Sequence, residues 1–320
     1  MLRPCTLRPH PLSRNNVSHT RHTRGPDGAA RRIRGAWLVP ERSNVTAGCD
    51  FRPALVSCTS FLSRLAAYSH RPLVPKLSVN VNKIATLRNT RRRHVPSVVR
   101  LAGIALDAGA HGITIHPRPD QRHILPADVD ALAELLKSYP SAEFCIEGNP
   151  FHGLIEHCER VRPVQALLVP DEHAAFTSNQ GWNLLQLDAA TRRALVRSIK
   201  SLHEFGIRVS LFVDPVPATM AVVRELGADR VELYTEPYAV AAGTSRASEV
   251  LQRYTLAAQA AREVELGVNA GHDLNLENLP NFLHATGRID EVSIGHALIA
   301  DALELGIADA TRRYLAICGA

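Results

Sequence analysis

From residue 77 onward, short apolar runs rich in β-branched residues alternate with longer stretches of helical periodicity. Leu77–Val81, Gly112–His116, Glu143–Glu147, Ala166–Pro170, Ile207–Asp214, Arg230–Thr235, Leu266–Ala270 and Glu291–Gly295 read as eight strands. Helical patterns fall near 96–108, 126–138, 151–160, 189–205, 216–226, 247–265 and 275–284, and a last one runs from about 297 to the end. Pro96 and Pro126 stand where a first helical turn accepts proline, and Gly206 and Gly227 stand just past helix ends. Strict alternation of strand and helix implies a parallel sheet. Eight units in this length predict a closed (β/α)8 TIM barrel over 77–320. An open doubly wound sheet is the competing topology, and the missing Gly-x-Gly-x-x-Gly turn after the first strand weighs against it.

A barrel of this kind carries its chemistry at the carboxyl ends of its strands. Reading those ends gives Asn80 and Asn82, His116 and Arg118, Glu147, Thr177, Asp214, Glu232, the group Asn269, Gly271 and His272, and finally Gly295 and His296. This is a titratable mouth suited to proton transfer. Burial beside His116 and His272 would tune Glu147 and Glu232 toward neutrality. Any one strand-end histidine is more often a structural hydrogen-bonding group than a catalyst. Convergence of several such residues on one rim is what points to chemistry.

Composition narrows the class. No run of 18 apolar residues occurs, which excludes a simple membrane-spanning helix. Six cysteines without a CxxC pair argue against a disulfide framework or a structural zinc site, and Cys145, Cys158 and Cys318 read as small buried hydrophobes. The net charge of +6 is unevenly placed. Residues 1–76 carry 12 Arg and Lys76 against Asp27, Glu41 and Asp50, so the remainder is net acidic. A preference for anionic partners therefore reaches only this arm, and no nucleic acid or membrane partner is expected for the barrel. Residues 1–76 read as a disordered basic extension, with Phe51 to Tyr68 the one stretch apolar enough for a helix or strand. The arm resembles an organellar transit peptide in composition. A flexible arm, or residues added by an upstream start codon, is the favoured reading, with the barrel placed in the cytoplasm.

Two further patterns bear on chemistry. The Gly271-His272 and Gly295-His296 turns look alike, and a glycine turn before a helix start accommodates an anion. Arg91 and Arg118 could add bidentate phosphate contacts, or could be solvated surface charges. Lysines are few: Lys76, Lys83, Lys137 and Lys200. Only Lys83 lies near the mouth, so imine chemistry would more readily use an amine of a substrate than one of the chain.

At these residues a family resemblance emerges. Ser78-Val-Asn-Val-Asn-Lys-Ile-Ala-Thr-Leu-Arg-Asn-Thr-Arg91 resembles the first-strand signature of the pyridoxine 5′-phosphate synthase (PdxJ) family of vitamin B6 biosynthesis. Gly112-Ile-Thr-Ile-His-Pro-Arg-Pro-Asp-Gln-Arg-His-Ile124, Val209–Asp214, Val268–His272 and Ile294–Ala297 follow in the same order. The resemblance implies an enzyme joining 1-deoxy-D-xylulose 5-phosphate to 3-amino-2-oxopropyl phosphate, releasing pyridoxine 5′-phosphate, phosphate and water. It implies no metal and no organic cofactor, and a homo-oligomer, an octamer in the family. It further implies His116 and Glu147 as proton acceptors, His272 as proton donor and Glu232 as a stabiliser of transition-state charge. Asn80, Arg91, Gly271, Gly295 and His296 would hold the amino substrate. Arg118, His123, Thr177, Asn82 and Lys83 would hold the sugar phosphate. The chain departs from the family pattern in Asn82-Lys83, where Asp-His is usual, in Tyr234 and Glu236, where His and Gly are usual, and around Asn179-Gln180-Gly181-Trp182.

Two rival functions fit the same features less well. One is a metal-dependent phosphosugar epimerase or isomerase using His116, Glu147, Glu232 and His272 as ligands. The other is a phosphate-ligand sensor or RNA-associated protein that works through the basic arm.

Overall fold

The computed structural model describes residues 74–91, 94–171, 178 and 180–319. Residues 1–73 of the basic arm, the Phe51–Tyr68 stretch within them, Thr177 and Asn179 lie outside the described residues, whereas Lys76, counted with the arm, opens the first strand. The eight strands are β1 Lys76–Asn80, β2 Gly112–Ile115, β3 Glu143–Gly148, β4 Gln165–Leu168, β5 Arg208–Val213, β6 Arg230–Leu233, β7 Gly267–His272 and β8 Glu291–Ile294. They pair in parallel, each with its successor, and β8 closes on β1. The expected barrel is therefore present.

Helices α1 Asn82–Asn89 and α2 Val98–Asp107 follow β1, α3 Pro126–Leu136 follows β2, and α4 Leu154–Val161 follows β3. A 3-10 turn at Leu184–Gln186 and α5 Ala189–Glu204 follow β4, and α6 Thr219–Leu226 follows β5. Helices α7 Glu236–Ala241 and α8 Ala247–Glu263 follow β6, and α9 Leu279–Thr286 follows β7. Helices α10 His296–Leu305 and α11 Ile307–Cys318 close the chain.

The one-helix-per-strand reading thus needs correction at three places. Helices α1 and α7 are short, at 8 and 6 residues, and offer little periodicity to read. The expected single C-terminal helix is split where Gly306, at φ 80°, breaks the helical path. Pro96 precedes α2, whose N-cap is Ser97, accepting from Arg100 N. Pro126 occupies the first turn of α3, as expected.

Strand alternation divides the barrel wall into two faces. Leu77, Val79, Ile113, Ile115, Ile146 and Leu168 belong to the main core, packed with residues of the surrounding helices. The opposite face points to the barrel axis. Bulky branched side chains usually fill such an axis. Here its lower half is polar. Arg208 Nε donates to Gln165 Oε1 at 2.9 Å, Arg230 donates to Asn269 Oδ1 at 3.1 Å, and Arg230 faces Glu291 at 3.4 Å. Glu143 pairs with both Lys76 and Arg208. Above this layer lies a small apolar plug of Cys145, Leu167, Val169, Phe212 and Tyr234. The plug forms the floor of the mouth. Cys145, Cys158 and Cys318 are buried free thiols, as expected. No helix among the described residues is long and apolar enough to cross a membrane.

Candidate active site

The inward register carries the site. On β3 the inward positions are Glu143, Cys145 and Glu147, so the last rises to the mouth. On β6 they are Arg230, Glu232 and then Tyr234. Each series begins with a charge at the barrel bottom and ends at the rim.

Two histidine–carboxylate contacts form there. His116 Nδ1 lies 3.8 Å from Glu147 Oε2, and His272 Nδ1 lies 3.7 Å from Glu232 Oε1. Both separations exceed a hydrogen bond. Glu232 Oε1 is buried and makes no hydrogen bond. Glu147 is 4% exposed and Glu232 1%, whereas the His272 side chain keeps 22% of its surface open. Solvent or a ligand can therefore reach His272 but not the carboxylate behind it.

The electrostatics separate the four groups. Burial, and then the charge of Glu232, push the Glu147 carboxyl up to about 8, against the opposing pull of His272. Burial works against a charged His272, but Glu232 and Glu147 outweigh it and raise the imidazole to about 9. Burial, followed by the charges of Arg118, His123 and His272, drives His116 well below its ordinary value. At neutral pH the site thus holds a neutral imidazole at 116 and a cationic one at 272.

Hydrogen bonds from the β1 end orient one pair. Asn80 Nδ2 reaches Glu147 Oε1 at 3.4 Å and Oε2 at 3.3 Å, and Asn80 Oδ1 accepts from Asn82 N at 3.0 Å. Asn82 Oδ1 accepts from His116 N at 2.9 Å. Position 82 therefore ties two strand ends together through its amide. The His123 ring lies 6.0 Å from that of His116, edge to face. Burial and the neighbouring Arg118 and Arg122 lower His123 to about 4.

Arg118 is buried and donates to Asp171 Oδ2 at 2.9 Å, and that carboxylate also accepts from Ser178 Oγ at 2.6 Å. The reading of Arg118 as a solvated charge is thereby excluded. Asp171, Ser178 and Asn149, whose Nδ2 donates to Asp171 O at 3.1 Å, escaped the sequence reading. Asp171 was detectable as the first acidic residue after the fourth apolar run. Lys83, Arg91 and His296 are exposed, at or just beyond the ends of the helices that follow their strands.

The two glycine turns differ. A Cβ on Gly271 would stand 2.2 Å from Ser293 O, so the β7–β8 contact requires glycine. A Cβ on Gly295 would press Asn80 at 3.1 Å. Gly295 leads directly into α10, but the helix after His272 begins only at Leu279. The expectation that a helix start follows both turns holds for Gly295 alone.

Comparison with known proteins decides the family. A family model described as pyridoxal phosphate biosynthesis protein PdxJ matches residues 77–320. The chain belongs to the PdxJ family. A pyridoxine 5′-phosphate synthase of Albidiferax ferrireducens is 52% identical over 248 residues, covering 76% of this chain and 97% of the relative. One from Porphyromonas gingivalis is 48% identical over 239 residues, covering 75% and 97%. Among solved structures, the tryptophan synthase α subunit of Legionella pneumophila superposes with a TM-score of 0.51 at 11% identity, over 77% of this chain and 93% of that one. That likeness concerns the barrel alone. PdxJ membership makes the chain an enzyme of vitamin B6 biosynthesis. Asn82, Tyr234 and Glu236 lie at the site itself. Asn82 bonds His116 N, and the Tyr234 hydroxyl bonds the Glu236 carboxylate.

Proposed function

We propose that the chain is a pyridoxine 5′-phosphate synthase, joining 1-deoxy-D-xylulose 5-phosphate to 3-amino-2-oxopropyl phosphate. The observation that carries this reading is the pair of histidine–carboxylate contacts at one rim, 3.8 and 3.7 Å, in a chain of the PdxJ family. Ring closure proceeds by attack of a substrate amine on a ketone, loss of water and repeated proton shifts. Such steps need acceptors and donors with different proton affinities in one place. Neutral His116 and Glu147, the latter once it ionises near 8, serve as acceptors, cationic His272 as donor, and Glu232 holds the charge that develops between them.

For the two phosphate-bearing substrates, Asn80, Arg91, Gly271, Gly295 and His296 hold the amino partner. Arg118, His123, Thr177, Asn82 and Lys83 hold the sugar phosphate. No cofactor takes part. Activity resides in the barrel, 77–320, and the basic arm is dispensable for it; copies of the chain assemble as a symmetric homo-oligomer in the cytoplasm.

The test is to mix the purified chain with both substrates and follow product by mass. Formation of pyridoxine 5′-phosphate, retained after removal of residues 1–73, is the expected result. Failure of the full chain to form product would overturn the reading. Loss of activity only on removal of the arm would favour a role for the basic segment.

A further inference from the structure

His272 is held on a short aromatic shelf. Its ring lies 4.9 Å from the Phe212 ring at a 35° tilt, and 6.4 Å from the Tyr234 ring at 86°. Phe212 and Tyr234 meet each other edge to face at 5.6 Å. The His272 backbone sits at φ 54°, in the left-handed region that non-glycine residues seldom adopt. Its side-chain direction is therefore set by surrounding contacts and strained backbone together.

Tyr234 is itself tightly fixed. It is 6% exposed, its N donates to Val213 O at 2.9 Å, and its carbonyl accepts from the Tyr254 hydroxyl at 2.8 Å. The Tyr234 hydroxyl donates to Glu236, which opens the first turn of α7. The next residue, Thr235, bonds the carbonyl of Gly271, immediately before His272. One tripeptide thus grips His272 from its ring and from its backbone. The side chains of positions 234 and 236 touch each other.

We propose that Tyr234 and Glu236 form a single positioning pair that aims the His272 imidazole, the carboxylate locking the phenol and the phenol locking the imidazole. This rests on the reading of His272 as proton donor. The pair does no chemistry. It limits how far the ring can swing from Glu232, and a ring that swings away loses the partner that keeps its proton.

The experiment compares wild type with Tyr234→Phe, Glu236→Gln and the double variant. It uses steady-state rates and titration of the His272 resonance in 15N-histidine-labelled protein, assigned by its loss in His272→Asn. Each single variant should lower kcat about three- to tenfold, with KM for either substrate within about twofold. The double variant should be no slower than the slower single one, because both changes cut one chain of contacts. The titration midpoint of His272 should fall in all three. An unmoved midpoint, or losses that multiply in the double variant, would overturn the pair. Should wild type make no product, the synthase reading would fall, and the His272 midpoint would still decide the pair.

Discussion

Asn80 reaches both oxygens of Glu147, at 3.4 and 3.3 Å, and is the side chain through which the end of β1 acts on the carboxylate of β3. An N–H directed at a carboxylate favours its charged form, and here it opposes the burial that keeps Glu147 protonated. Asn80→Ala removes that donor. The titration of Glu147 should move to higher pH, carrying the acidic limb of the kcat profile with it. An acidic limb that stays in place would show that Asn80 does not govern this carboxyl.

The pH dependence of the wild type follows from the same groups. An acceptor must be deprotonated, so activity rises as Glu147 ionises near 8; a donor must be protonated, so activity falls as His272 deprotonates near 9. A narrow bell between these limits is expected for kcat. His116 lies well below its usual range and contributes no limb near neutrality. A profile flat from pH 7 to 10, a range about one unit beyond each limit, would contradict the assignment.

Glu147 also makes a stability prediction. Its folded-state value, about 8, lies above the ordinary 4.5, so folding favours the protonated form. That contribution is complete below about 4.5 and is lost as pH rises through about 8. Glutamine cannot ionise. Glu147→Gln should therefore melt at a higher temperature than wild type above pH 8, with the difference shrinking toward pH 5, about half a unit above the ordinary value. Thermal melts across this range check the sign, and a variant less stable at alkaline pH would refute it.

Gly271 tests the barrel closure beneath the site. A methyl group there meets the backbone oxygen of Ser293 at 2.2 Å, and backbone cannot rotate aside. Gly271→Ala should cost on the order of 1–3 kcal/mol, as overpacking does, and displace His272 next to it. Urea denaturation with an unchanged midpoint would contradict this.

The architecture was legible because β-branched runs and helical periods alternate eight times from Leu77 to Cys318. The rim was legible because most strands end in or beside a polar side chain, and His116 meets Glu147 there as His272 meets Glu232. The polar barrel axis was not recognised. Lys76, Glu143, Arg208, Arg230 and Glu291 begin their strands, where a charged residue looks like a strand boundary rather than an inward position. Short α1 and α7 were missed because one or two turns show no face. Tyr234 registered as a departure from a family pattern, but its contact with Glu236 and His272 depends on strand register and on the turn into α7, which spacing alone does not reveal.

In the proposed reaction His116, Glu147 and His272 move the protons of ring closure while Glu232 stabilises the charge that develops. The direct measurement is the rate of pyridoxine 5′-phosphate formation by Glu147→Gln and by His272→Asn, each shown by circular dichroism to be folded. Both should fall by at least about a hundredfold, the scale of a lost acid or base. Rates near wild type in both folded variants would contradict the account.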